Sequence, residues 1–217
     1  MNTSRDADRR PVLLIPGIDD TAKKLRPLAR VLRDAGWVDL ELLEFTPNDA
    51  SCGMFALVEQ ADRAAQSLVE KSSANEIDVV GFSMGALVAR YWLRRTPGRV
   101  RVRRFVSISG PHHGTLTGYL RWNEGAAQMR PNSPFLRDLA RDEGEWNGVD
   151  AYSFWTPMDL MIVPASSSRL QGATERTFRV WAHPLMMYDR RVLDAVVEVL
   201  QAANAAGGNG PPGVGGS

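Results

Sequence analysis

Apolar residues along this chain fall in short continuous runs, and the stretches between them carry helical spacing. Val12-Leu13-Leu14-Ile15 is such a run, of the kind a strand covered on both faces requires. Residues 25–35 put Leu28, Val31 and Leu32 on one helical face, and Gly36 ends the pattern. A strand over 38–45 follows. Residues 54–72 place Leu57, Val58, Ala61, Ala65, Leu68 and Val69 on one side of a long helix. The same alternation predicts strands at 77–80 and 102–108, with a helix at 86–95 between them. Residues 110–147 are rich in Gly and Pro. They hold one predicted helix near 135–142, capped by Asn132 or Ser133 and opened by Pro134. Strands at 151–155 and 177–181 and a last helix at 190–203 complete the pattern.

Strands separated by helices build βαβ units, right-handed crossovers and a parallel sheet with helices on both faces. Sites in such sheets form beyond the carboxyl ends of the strands. The 217 residues suit one domain over 11–203, with 110–147 as a small cap or loop insert. Residues 1–10 are polar and 207–217 almost all Gly and Pro, and 1–10 and 204–217 read as disordered tails. The polar start MNTSRDADRRP has no apolar h-region, so no secretory signal is expected. No apolar run reaches the roughly 18 residues of a membrane span. The single cysteine, Cys52, rules out an intramolecular disulfide and reads as a reduced thiol in a cytoplasmic protein. No metal or cofactor is expected, and a net charge of +1 gives no reason to expect nucleic acid.

Charge is unevenly placed. Residues 79–123 contain eight arginines and neither Asp nor Glu. The plainer reading is a solvated face paired with acids from elsewhere, such as Asp138, Asp142, Glu143 and Glu145. The other is peripheral contact with an anionic membrane or an acidic partner.

The chemistry sits after the third strand, in Gly81-Phe82-Ser83-Met84-Gly85. Glycines two positions either side of the serine allow the sharp strand-to-helix turn that exposes its hydroxyl. The helix that starts there points its positive end at the serine. His183, after the last strand, is the expected base, because Ser, acid, His is the chain order on this scaffold. His112 and His113 follow the fourth strand and read as pocket-shaping or loop-bracing groups. Asp159, after the fifth strand and among apolar residues, is the expected carboxylate, with Asp150 its competitor. The amides of Met84 and Ile18 are the expected oxyanion donors. Asp19 and Asp20 read as caps for the next helix rather than as metal ligands.

The segments PVLLIPGI, DVVGFSMGALVARYWL, VSISGPHHGT, MRPNSPFLRDL and SFWTPMDLMIVPASS together resemble the small α/β-hydrolases of the bacterial triacylglycerol lipase and esterase type. The resemblance covers about residues 11–203. It implies a minimal α/β-hydrolase fold of about six mainly parallel strands. Its nucleophile, acid and base fall on Ser83, Asp159 and His183, and its oxyanion donors on Ile18 and Met84. One departure stands out: Pro16-Gly17 replaces the His-Gly of many such lipases, which removes a side-chain hydrogen bond but not the backbone donor.

The expected activity is hydrolysis of apolar carboxylic esters or lipids through an acyl-enzyme. The same triad serves an acyltransferase or a thioesterase equally well. A non-catalytic lipid-binding module is disfavoured because all three triad positions are filled. Leu116, Tyr119, Met129, Leu185 and Met186 are the expected acyl-binding residues, with Leu120, Met187 and Tyr188 beside them. Oligomeric state is not legible in the sequence.

Overall fold

The computed structural model describes residues 9–96 and 100–202. The two tails assigned to 1–10 and 204–217, apart from residues 9 and 10, lie outside the described residues, as does Arg99.

The sheet has six strands, all parallel, in the order β2-β1-β3-β4-β5-β6. They are β1 (Val12–Ile15), β2 (Leu40–Leu42), β3 (Ile77–Phe82), β4 (Val102–Ile108), β5 (Asp150–Trp155) and β6 (Thr174–Thr177). The principal helices are α1 (Ala22–Asp34), α2 (Gly53–Ser72), α3 (Met84–Arg95), α4 (Glu124–Gln128), α5 (Pro134–Leu139) and α6 (Arg190–Gln201).

Alternation along the strands divides the interior into two cores. Leu14, Val80, Phe82, Val106 and Ile108 pack against Leu25, Leu28 and Leu32 of α1 and Val192, Val196 and Val199 of α6. Leu13, Ile15, Val79 and Phe105 face the other way, onto Met54 and Leu57 of α2 and Leu87, Val88 and Trp92 of α3. Both faces of β1 and β3 are therefore covered, which is why β1 reads as an unbroken apolar run and β3 is apolar apart from Asp78 and Gly81. Ser133 caps α5, its Oγ accepting from the Leu136 amide at 3.2 Å, with Pro134 at the first helical position. Gly36 follows α1 with φ +98°.

Three features depart from the sequence pattern. Strand β6 lies at 174–177, earlier than the 177–181 expected, and is exposed. Phe178 and Val180 alternate because they pack on the α6 core, while ladder pairing stops where β5 ends. Strand β2 keeps only three residues of the expected 38–45; Leu43 and Phe45 are core residues outside the ladder. The insert also contains α4, capped by Asn123, whose Oδ1 accepts from the Ala126 amide at 2.9 Å.

The described arginines of the acid-free stretch have partners. Arg94 and Arg95 each lie 2.7 Å from Asp142, and Arg95 is also 2.7 Å from Asp138. Arg103 meets Asp150 at 3.0 Å, Arg121 meets Asp19, and Arg101 lies 3.9 Å from Glu76. Buried Arg104 sits 3.4 Å from Asp78, its neighbour across the ladder. Buried Arg90 donates to the carbonyls of His112 and Leu139. Among the described residues no helix is long and apolar enough to cross a membrane.

The hydrogen bond from Arg95, with Arg94 beside it, holds the Asp142 carboxyl down to about 2, against an ordinary 3.8. A carboxyl depressed in the folded state stabilises fully above its unfolded pKa, and that contribution fades as pH falls from about 4 toward about 2. Asp142→Asn is expected to lower unfolding free energy by about 1 kcal/mol at neutral pH and to have almost no effect near pH ~2. Urea titrations at the two pH values check this; equal losses at both would place the effect outside the ion pairs.

Candidate active site

The turn between β3 and α3 is a single residue. Ser83 has φ +53° and ψ −124°, a strained conformation for a residue with a side chain. Its amide donates to the Ile108 carbonyl at 2.8 Å, and its carbonyl accepts from Ala86 at 3.0 Å, so both ends of the turn are pinned. Neither flanking glycine has room for a methyl group. A Cβ on Gly81 would lie 2.5 Å from the Ala86 Cα, and one on Gly85 would drive into the carbonyls of Ile15 and Pro16. The second clash also shows how closely α3 approaches the loop that follows β1.

That loop reaches the serine. A Cβ on Gly17 would fall 3.1 Å from the Ser83 Cβ and 3.3 Å from the Phe82 ring. Asp19 donates its amide to the Asn48 carbonyl at 2.9 Å, which anchors the loop just past Ile18. Ile18 from this loop and Met84 at the first position of α3 thus flank Ser83 in the chain path.

Asp159 and His183 meet here from separate strand ends. Asp159 is 5% exposed and His183 2%. The imidazole Nδ1 lies 2.6 Å from Asp159 Oδ2. Asp159 Oδ1 accepts from the amides of Met161 and Ile162 at 2.9 and 2.8 Å. Those three donors satisfy a carboxylate that would otherwise be costly to bury. Thr156, buried at the end of β5, donates to the Val180 carbonyl at 2.7 Å and ties the two loops together. The His183 ring packs on Phe82, centroids 4.9 Å apart, one residue before Ser83. With Nδ1 turned to a carboxylate, Nε2 is left as the free position of the ring. It is buried and makes no hydrogen bond, with Ser83 or any other described group. Phe82, whose ring the imidazole packs on, is the residue before Ser83, and that ring contact is what ties His183 to the elbow.

Other expected residues divide. Leu116 and Tyr119, in a short helical turn after β4, and Leu185, in the turn that begins at His183, are half exposed. Met129 and Met186 are buried, in the α2/α3 and α1/α6 cores respectively, and Met186 lies three residues after His183 in the same short helical turn. His112 is buried, its Nε2 2.6 Å from Ser107 Oγ, and burial with nearby Arg90 keeps it neutral. His113 pairs with Glu143 at 2.8 Å. Both brace the insert. The acidic pair does not cap α1, whose N-cap is Thr21 with no side-chain bond. Asp19 instead pairs with Arg121, and Asp20 sits between Gly17 and Lys24 and feels the charge of His183. Burial pushes the Asp20 carboxyl up, with Lys24 and His183 opposing. Adjacent aspartates before a helix suggest a cap, so the sequence hid this role.

A six-stranded parallel sheet, a strained serine between strand and helix and a carboxylate-bound histidine define an α/β-hydrolase. Residues 11–139, more than half of the chain, match the family model described as palmitoyl protein thioesterase, and the chain belongs to that family. The match ends before Asp159 and His183. A search of curated proteins found no match. Among solved structures, the chain is similar to Aspergillus fumigatus lipase B, with TM-score 0.75 and 20% identity over 90% of this chain and 53% of that one. It is similar to the lin2722 gene product of Listeria innocua, with TM-score 0.72 and 16% identity over 89% and 94%. It is also similar to the type II thioesterase BorB from the borrelidin biosynthetic cluster, with TM-score 0.60 and 17% identity over 89% and 92%. At these identities the structures speak for the fold, and with the family they mark a hydrolase of the ester or thioester kind.

Gly85→Ala is expected to cost about 1–3 kcal/mol, because the added carbon overpacks against backbone that cannot retreat. Denaturant unfolding followed by circular dichroism checks this; a loss below a few tenths would mean the β1 loop is looser than its contacts imply.

Proposed function

We propose that this protein is a serine hydrolase that cleaves apolar acyl esters and thioesters through an acyl-enzyme, with Ser83 as nucleophile, His183 as base and Asp159 as orienting acid. The observation that carries the reading is the 2.6 Å bond from His183 Nδ1 to buried Asp159, which leaves Nε2 without a partner on a ring that packs against Phe82, the residue before the elbow serine.

In this mechanism Ser83 Oγ attacks the acyl carbonyl as His183 Nε2 takes its proton. Asp159 holds the ring orientation and stabilises the imidazolium without accepting the proton. The amides of Ile18 and Met84 receive the oxyanion, aided by the N-terminal end of α3. Collapse of the tetrahedral intermediate expels the alcohol or thiol, protonated by His183. Water, deprotonated by the same histidine, then attacks the acyl-enzyme and releases the fatty acid. Leu116, Tyr119 and Leu185 supply an apolar surface at the edge for the acyl chain. The family favours the thioester side of the activity, since its description names a thioesterase. An acyltransferase differs only in the second acceptor, and added alcohol or thiol in the assay would reveal it by product partition.

Wild-type protein is expected to react with a fluorophosphonate probe and to hydrolyse p-nitrophenyl and thioester substrates. Ser83→Ala should abolish labelling and lower kcat by about 10⁴-fold or more. Asp159→Asn should lower kcat by about 10³–10⁴-fold with little change in KM, because the tautomer and not the binding surface is altered. Retained labelling in Ser83→Ala would refute the assignment of the nucleophile.

A further inference from the structure

One concavity of the described surface carries side-chain charge of a single sign. A groove of about 740 Å³ runs between α1 and the start of α6, floored by Pro27, Val31, Leu42 and Leu193. Its walls carry Lys23, Arg26, Arg30 and Arg33 from α1 and Arg190 from α6, and no acidic side chain lines it. The α1 cations recur at intervals of three, four and three, which is one face of a helix. At 1.5 Å per residue they span about 15 Å.

These cations differ from the arginines of the acid-free stretch. The arginines described between residues 79 and 123 are matched by carboxylates or carbonyls. Among the described residues no carboxylate lies within ion-pair distance of Lys23, Arg26, Arg30 or Arg33, whereas Arg190 pairs with Asp194 at 2.8 Å. A concave wall of one sign concentrates an opposite charge, and arginine forks match phosphate oxygens.

The groove also connects to the catalytic cluster. Tyr188 lines one end of it, five residues after His183. Lys24 Nζ lies 5.1 Å from the Tyr188 ring and 5.9 Å from the Phe82 ring, which packs on His183. The apolar loop bearing Leu116 and Tyr119 packs with α4, and α4 packs on α2, on the opposite face of the sheet from α1. Ser83 therefore stands between an apolar surface and a cationic groove, the layout that suits a substrate with a fatty acyl tail and a phosphorylated head.

We propose that the α1/α6 groove is a polyanion subsite that holds the phosphorylated nucleotide end of a coenzyme A thioester while the acyl group lies at Ser83. A small ligand is favoured over a flat partner because the cations surround a concavity of ligand size rather than a plane. The choice of a thioester rests on the hydrolase reading above; the binding of the anionic head does not.

The test uses full-length protein and a triple variant at three exposed positions, Arg26→Gln/Arg30→Gln/Arg33→Gln. Calorimetry of coenzyme A against the Ser83→Ala background reads the subsite without turnover. Coenzyme A should bind, more weakly as salt rises, and the triple variant should weaken it by about 30-fold. Dephosphorylated pantetheine should bind poorly to both. In turnover, the ratio of kcat/KM for palmitoyl-coenzyme A over p-nitrophenyl palmitate should fall by a similar factor in the variant. Coenzyme A binding that is absent, or indifferent to the triple substitution, overturns the proposal. So does variant-sensitive binding to equimolar phosphatidylcholine and phosphatidylglycerol vesicles without coenzyme A binding, which would make the groove a membrane contact. Failure of the hydrolase reading appears separately, as hydrolysis that survives Ser83→Ala while coenzyme A still binds.

Discussion

A carboxylate buried among apolar residues must find donors or lose its charge, and Asp159 meets this condition with two amides and one imidazole. Much of the catalytic edge follows from it. The imidazole must come to the end of β5, so the chain after β6 must turn back over the sheet edge. Thr156 fixes that turn by holding the Val180 carbonyl. With Nδ1 committed to Asp159, the ring can present only Nε2 to a substrate, and Phe82 supports its face from the residue next to the elbow. The aspartate thereby sets the tautomer, the orientation and the loop path together.

The sequence was most legible where one physical cause dominates. The central strands are covered on both faces, so the apolar residues of β1, those of β3 around Asp78, and Phe105, Val106 and Ile108 of β4 made them legible. The elbow was legible because only glycine fits at positions 81 and 85. It was least legible where two causes produce one pattern. Phe178 and Val180 alternate like strand residues, yet their period comes from packing on α6. Met129 and Met186 sit in loops and short turns that resemble site linings, yet the cores claim them. Asp20 looks like a helix cap because its neighbours in sequence are a second aspartate and a helix start. Its real surroundings, Gly17, Lys24 and His183, come from two different parts of the chain.

Charge shows the same division. The arginine-rich stretch drew attention because acids are missing from it, yet acids from α5, the following turn and β5 reach it in space. The cations of α1 lie in a stretch whose composition is unremarkable, with Asp19, Asp20 and Asp34 close in sequence. Of those acids, Asp19 pairs with Arg121, and Asp34, one helical turn after Arg30, forms no ion pair with it. Local charge counts thus mislead in both directions, and only the fold shows which charges are neutralised.

The sheet stops at β6, four residues long and open to solvent on its outer side. Glu175 and Arg176 stand there, each held in an ion pair, with Arg169 and Glu198. A second molecule that tried to extend the sheet would meet a short rim and would have to dislodge bound charges, both of which oppose strand addition. The exposed border that precedes His183 in the chain can therefore remain solvated without recruiting another chain into the sheet.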